Sequence, residues 1–79
     1  MRNQEELEEE IKTLIYKVTG IKIQNNYQNL LDEDLKIAIV DWLYVIQELE
    51  LRYHANLAQK IVDDNYSNFT IYNIAKKLL

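Results

Sequence analysis

Proline is absent from this chain of 79 residues, and Gly20 is its single glycine. Antiparallel sheets rely on tight turns, and glycine and proline supply most of those turns. The lack of these residues excludes a turn-rich β-sandwich more firmly than it indicates helices. Because the chain also lacks cysteine, its stability must come from packing, with or without association. A chain of this length fits one domain, residues 1–79.

The distribution of charge limits the classes of partner. The formal net charge is −4, and acidic residues are concentrated in the first ten residues and at positions 32–34. Nucleic-acid binding needs a basic face, so we expect no nucleic-acid partner. The longest apolar run, residues 37–46, is interrupted by Asp41 and is too short to cross a bilayer. We expect a cytoplasmic protein, without a signal peptide, that meets basic protein surfaces.

Hydrophobic periodicity predicts the first and last helices. Over Gln4–Thr19 apolar residues recur at helical spacing. Asn3 is suited to cap the start of this helix, and Gly20 is suited to end it. A short third helix is predicted over residues 56–62, and a last helix is predicted to start near Thr70. The apolar positions of the first and last helices are Leu7, Ile11, Leu14, Ile15, Val18, Ile71, Ile74, Ala75 and Leu78.

The middle of the chain combines a loop with a long apolar segment. Residues 21–31 are rich in Asn and Gln, which indicates a loop. A second helix is predicted to begin between Asp32 and Ile39 and to run to about Leu51. Residues 37–46 have high β-propensity, so a buried strand is the rival interpretation. We favour a helix because no partner strand is visible, and a lone strand leaves its backbone hydrogen bonds unsatisfied. Five apolar residues are expected to hold the loop to the core: Ile21, Ile23, Tyr27, Leu30 and Leu31.

The order of these elements and several short motifs resemble acyl carrier proteins and peptidyl carrier domains. The similar features are the residues at the end of the first helix, a Glu-Asp-Leu motif before the second helix, the apolar positions of the second helix, and the residues at the start of the last helix. They lie at Thr19, Gly20, Ile21, Leu31, Glu33, Asp34, Leu35, Leu43, Ile46, Leu49, Tyr53, Leu57, Phe69, Thr70 and Ile71. The resemblance implies an all-α, small four-helix bundle with three long helices and a short third helix.

The chain departs from this family where the family's chemistry takes place. In carriers, the serine of an Asp-Ser-Leu motif receives the phosphopantetheine arm of coenzyme A. Ala38, Ile39 and Val40 fall on those three positions, and Lys36 falls on the glycine that precedes them. Ile39 has no hydroxyl, and neither do its neighbours, so we predict no cofactor-binding residue and no acyl carriage. Ser67, the single serine, is better explained as a turn or cap residue than as another attachment point.

The same segment indicates how the chain could act instead. If the core takes Val40, Leu43 and Ile46, then Ile39 and Trp42 form an exposed apolar patch, which is typical of a partner surface. Burial of Trp42, by the loop or by a rotation of the helix, is the alternative. The candidate partner-binding residues are Ile39, Asp41, Trp42, Tyr44, Glu48, Glu50 and Leu51.

Three functional hypotheses follow. The first is a non-catalytic, carrier-like domain that acts through protein contact, as an adaptor, regulator or recognition module in a biosynthetic system. Its partner would be a biosynthetic enzyme, a dedicated protein or, weakly, a second copy of the chain. The second is a divergent carrier or a non-covalent lipid binder, and the third is a small acidic inhibitor or immunity-like protein. We predict no enzyme, because no nucleophile is paired with a base and no metal-ligand spacing is present.

Overall fold

Four helices and one 3₁₀ turn make up the regular structure of the residues that the structure describes. The computed structural model describes residues 3–65 and 68–79. The elements are α1 (Gln4–Thr19), a 3₁₀ turn (Glu33–Leu35), α2 (Ile39–Tyr53), α3 (Leu57–Asp63) and α4 (Ile71–Leu78). The predicted all-α, four-helix bundle is confirmed, and no strand occurs in the described part of the chain. The segment that could have been a strand forms the first half of α2.

Two of the helices are long and two are short. α1 and α2 have 16 and 15 residues, whereas α3 and α4 have 7 and 8. Three long helices and a short α3 were expected. α1 and α2 are long and α3 is short, as expected, but α4 is short as well. α4 begins only after Thr70, whose hydroxyl oxygen accepts a hydrogen bond of 3.1 Å from the Asn73 N–H. No described helix has both the length and the apolar character needed to span a membrane.

Both ends of α1 form as its sequence predicts. The Asn3 side chain accepts a hydrogen bond of 2.8 Å from the Glu6 N–H, which satisfies one of the free donors at the helix start. At the other end Gly20 adopts a φ of +75° and donates its N–H to the Tyr16 carbonyl. Glycine takes this left-handed conformation without steric strain, which ends the helix cleanly.

The core lies where the four helices meet. α1 packs against α4 and α2, and α3 lies between α2 and α4. This arrangement buries the apolar stripes that periodicity predicted for α1 and α4, apart from their last positions, Val18 and Leu78, which are partly buried. The buried residues of the core are Leu7, Ile11, Leu14, Ile15, Ile23, Leu30, Trp42, Val45, Leu49, Leu57, Ile61, Phe69, Ile71, Ile74 and Ala75.

The long connection between α1 and α2 is fastened to the start of α4. The Leu30 N–H donates to the Phe69 carbonyl at 2.8 Å, and the Tyr72 N–H donates to the Asn26 carbonyl at 3.0 Å. Of the five loop residues expected to contact the core, Ile23 and Leu30 are buried and Ile21 is partly buried, whereas Tyr27 and Leu31 are exposed. The loop therefore lies in a defined position, which in turn positions the start of α2.

A polar junction joins α1, this loop and α4. The Gln4 side-chain amide donates to the Tyr72 carbonyl at 2.9 Å and to the Glu8 carboxylate at 2.9 Å. The Asn26 amide donates to the other carboxylate oxygen of Glu8 at 3.0 Å. Glu8 therefore contacts the loop directly, a role that its place in an acidic helical turn did not indicate.

Lys36 adopts the left-handed conformation, with a φ of +53°, just before α2. An L-residue in this conformation costs roughly 1–2 kcal/mol, and glycine avoids most of that cost. We expect Lys36→Gly to raise the free energy of unfolding by about 0.5–1 kcal/mol, after the greater chain entropy of glycine is counted. Lys36→Ala keeps the strain and should change stability little. Urea unfolding followed by circular dichroism would contradict this expectation if both variants behaved alike.

Candidate functional site

The inward face of α2 is the one that contains Trp42. Trp42, Val45 and Leu49 point into the core and are 4%, 1% and 0% exposed, whereas Val40 and Leu43 are 69% and 62% exposed. The arrangement in which Val40 and Leu43 face the core and Trp42 is exposed therefore does not occur. Both sets recur at helical spacing, but burying the set that contains the tryptophan removes more apolar surface from water.

Trp42 packs against Phe69, which lies in the segment before α4. The two ring centroids are 5.3 Å apart, and the rings meet edge to face at 79°. The indole N–H of Trp42 is buried and has no hydrogen-bond partner among the described residues. Burial of Trp42 by rotation of the helix is thus the alternative that the structure adopts. Trp42 is not an exposed anchor for a partner.

This rotation leaves the solvent side of α2 apolar. We call this surface the outer face of α2; its apolar residues, each more than half exposed, are Ile39, Val40, Leu43, Tyr44 and Leu51. Residues four apart lie next to each other on a helix, so these side chains form one continuous surface on which Gln47 is the central polar residue. None of them is charged. A surface helix normally carries charge opposite the core, and a helix that is apolar all round is normally buried.

An apolar cleft lies along one edge of the outer face. It has a volume of about 320 Å³. Its lining consists of Leu31, Ile39, Trp42, Leu43, Ile46 and Phe69. All six side chains are apolar, so the cleft suits an apolar side chain or a hydrocarbon rather than a polar ligand.

A groove between α1 and α2 borders the other edge of the outer face. It has a volume of about 500 Å³, and its lining residues are Leu14, Lys17, Val18, Val40, Asp41, Tyr44, Glu48 and Arg52. Asp41 and Glu48, two predicted partner-binding residues, thus lie beside the outer face rather than in its centre. Since Lys17 and Arg52 line the same groove, acidic and basic groups are equal in number there.

Glu50 has a role within the fold. Its carboxylate accepts a hydrogen bond of 2.9 Å from the N–H of Ala58, in the first turn of α3. Asn56, the residue before α3, forms no side-chain cap. Glu50 therefore caps α3 from α2, and its charge complements the positive end of that helix. The predicted partner-binding role competes with this contact.

We expect Glu50→Ala to lower the free energy of unfolding by about 1 kcal/mol, because the start of α3 loses its acceptor. Glu50→Gln retains an oxygen acceptor and should lose less. Chemical denaturation of the two variants and of the parent protein measures the difference. Equal stability of Glu50→Ala and the parent would show that the capping contact contributes nothing.

The start of α2 carries no reactive group. Ile39 is the first residue of the helix and is 69% exposed, and Ala38 before it forms no side-chain cap. His54, the single histidine, is exposed and ends α2 in the left-handed conformation. In the described ranges, 3–65 and 68–79, no three acidic or histidine side chains cluster as metal ligands. Ser67, which was interpreted as a turn or cap residue, lies outside those ranges.

No family model, curated protein or solved structure matches this chain. The geometry of α2 is therefore the main guide to function, together with the carrier-like motifs. Val40, Leu43, Leu31 and Phe69 shape the site but were not among the predicted site residues. A signal for the first two was present, since burying Trp42 at helical spacing necessarily turns Val40 and Leu43 outward. No local pattern placed Phe69 against Trp42.

Proposed function

We propose that the chain is a non-catalytic, carrier-like domain that acts through protein contact at the outer face of α2. The observation that carries this proposal is the uncharged, exposed apolar surface formed by residues along the whole helix. Contiguous apolar surface of this kind on a small protein usually marks an interaction site. The domain would serve as an adaptor, regulator or recognition module in a biosynthetic system, in the cytoplasm.

Two backbone features support the carrier-like part of the proposal. Lys36 adopts a φ of +53° at the position where carriers have glycine, the residue that favours this conformation. Ile39 is the first residue of α2, at the position of the family's serine. The local geometry is thus compatible with the aligned motif, while the side chain at residue 39 is a branched hydrocarbon. Residue 39 therefore has no hydroxyl oxygen on which a phosphate ester could form.

Incubation with coenzyme A and a promiscuous phosphopantetheinyl transferase, followed by intact-mass measurement, tests the non-carrier part of the proposal. We expect no mass gain for the parent protein. The variant Lys36→Gly, Ala38→Asp, Ile39→Ser restores the family's residues and serves as the matched positive control. Attachment of the arm to the parent protein would overturn the proposal.

Co-purification from cells that naturally express the protein tests the contact part. We expect Leu43→Glu to lose proteins that co-purify with the parent, because it places a charge in the middle of the outer face. Val62→Glu is the control, since Val62 is an exposed apolar residue of α3. If Leu43→Glu and Val62→Glu retain the same proteins, the outer face of α2 is not the contact surface.

The apolar cleft favours a second candidate function, non-covalent binding of a lipid chain. Five of its six lining side chains have no hydrogen-bonding group; the sixth, Trp42, has only its indole N–H. Because Trp42 lines the cleft, its fluorescence can report whether a ligand enters. Titration with dodecanoic acid should shift the emission of Trp42 if a chain enters the cleft. Solvent extraction of protein purified from its natural cells, followed by mass spectrometry, would identify a bound lipid. An unchanged emission spectrum and a lipid-free extract would eliminate this candidate.

A further inference from the structure

We infer that the outer face of α2 pairs with the same face of a second copy of this chain, in an antiparallel, two-fold symmetric homodimer. This inference rests on the proposed function and names the partner of its contact surface. Four features of the structure favour a second copy over a basic partner protein: the charges around the face, the residue at its centre, the order of charges along α2 and the available area.

The charges around the outer face are balanced. The apolar cleft on one edge has no charged lining residue. The groove on the other edge has two acidic residues, Asp41 and Glu48, and two basic residues, Lys17 and Arg52. The acidic excess of the chain is concentrated in the first ten residues and at positions 32–34. Glu50, seven residues after Leu43, is the acidic residue on this side of α2, and its carboxylate is bound to the Ala58 N–H of α3. The charges lining the two edges therefore give two identical copies little repulsion and a basic partner little attraction.

The centre of the face is self-complementary. Gln47 lies midway between Leu43 and Leu51 on the same side of the helix. A glutamine amide both donates and accepts hydrogen bonds, so two copies of Gln47 can bond to each other across a two-fold axis. A single polar residue in an otherwise apolar helix pair also sets the register of pairing.

Charges along the border of the face fit an antiparallel arrangement. Asp41 lies near the start of α2 and Arg52 near its end, and both line the groove beside the outer face. In an antiparallel pair, Asp41 of one copy lies close to Arg52 of the second copy. The dimer contains two such ion pairs, one at each end of the helix pair. Because they are exposed to solvent, they help to fix the register of the two helices but add little to the affinity.

The available area suits a reversible dimer. A specific interface covers about a tenth of the surface of a small protein, which for the 5351 Å² of this chain is roughly 500 Å² per copy. The five apolar side chains of the outer face, each more than half exposed, present an area of that order. A total near 1,000 Å² lies at the low end of specific interfaces. We therefore expect a dimer that dissociates on dilution.

Sedimentation velocity over a range of protein concentrations tests the dimer. The parent protein should shift from monomer to dimer as concentration rises. Leu43→Glu and Gln47→Glu should each weaken the association at least tenfold. Gln47→Glu puts two like charges opposite each other at the two-fold axis, and Leu43→Glu buries a charge against Leu51 of the second copy. Val62→Glu makes a similar change on α3 and should dimerise like the parent. Circular dichroism establishes that each variant remains folded.

The absence of cysteine from the chain allows a second, geometric test. Gln47→Cys should form a disulfide-linked dimer under mild oxidation, because the two sulfurs face each other near the axis. Val62→Cys should not do so at the same rate. A parent protein that stays monomeric at every concentration overturns the homodimer, as does equal cross-linking of the two cysteine variants. If a different protein nevertheless requires Leu43 for binding, the proposed function stands and only the identity of the partner changes.

Discussion

Replacement of Trp42 with alanine is expected to lower the free energy of unfolding by about 3–5 kcal/mol, because a large buried aromatic leaves a cavity in the core. Trp42 is 4% exposed and meets Phe69 edge to face. A domain of this size has a total stability of about 4–12 kcal/mol. The loss is therefore at least about a quarter of the total stability, and the variant should unfold at a much lower urea concentration than the parent protein.

The adjacent residue provides the matched control. Leu43 is 62% exposed, so Leu43→Ala should change the free energy of unfolding by no more than about 0.5 kcal/mol. Trp42→Phe should fall between the two, since it keeps an aromatic ring and removes an indole N–H that has no partner among the described residues. Urea unfolding monitored by circular dichroism measures all three. Equal losses for Trp42→Ala and Leu43→Ala would mean that α2 is rotated differently.

Leu30→Ala is the second substitution with a large expected effect. Leu30 is 1% exposed, and its N–H bonds to the Phe69 carbonyl at 2.8 Å. Truncation should cost about 2–5 kcal/mol, as for other buried leucines. Because Leu30 joins the long loop to the segment before α4, hydrogen exchange should also increase in both segments.

Leu31→Ala is the control for the loop. Leu31 is 42% exposed and lines the apolar cleft, so its loss should destabilise the fold by under about 1 kcal/mol. It should, however, alter the emission of Trp42 in the same cleft. If the two leucine variants were equally stable, the loop would not be anchored through Leu30.

The two sides of α2 thus have separate tasks. The side that carries Trp42, Val45 and Leu49 holds the bundle together, and the outer face is free for contact. A charge at Leu43 should therefore disturb association while leaving the fold intact. This separation makes the contact hypothesis and the homodimer testable with folded protein.

Under the carrier-like proposal, two features near the start of α2 correspond to carrier features although residue 39 is not a serine. Lys36, just before α2, adopts the left-handed conformation, at some cost in backbone strain. The start of the helix at Ile39 is exposed, as a modification site would need to be. We propose that the helix has exchanged a covalent arm for an apolar contact surface.

Local chemistry was enough for the sequence alone to determine much of the fold. Asn3 and Gly20 mark the ends of α1, Thr70 marks the start of α4, and the apolar stripes of both helices recur with one clear period. These features depend on neighbours within a few residues, so they can be recognised without tertiary structure. The absence of a hydroxyl at Ile39 is likewise evident from the sequence.

Only the tertiary structure decided which side of α2 is buried. Nine of the ten residues 37–46, which comprise the approach to α2 and its first half, are apolar, so two different stripes satisfy helical periodicity equally well. The side that contains Trp42 is buried because Phe69, which is distant in sequence, packs against Trp42. The contacts of Glu8 with Asn26 and of Glu50 with Ala58 also join distant segments. The outer face of α2 exists because this helix has apolar residues on two sides and only one of those sides can pack against the core.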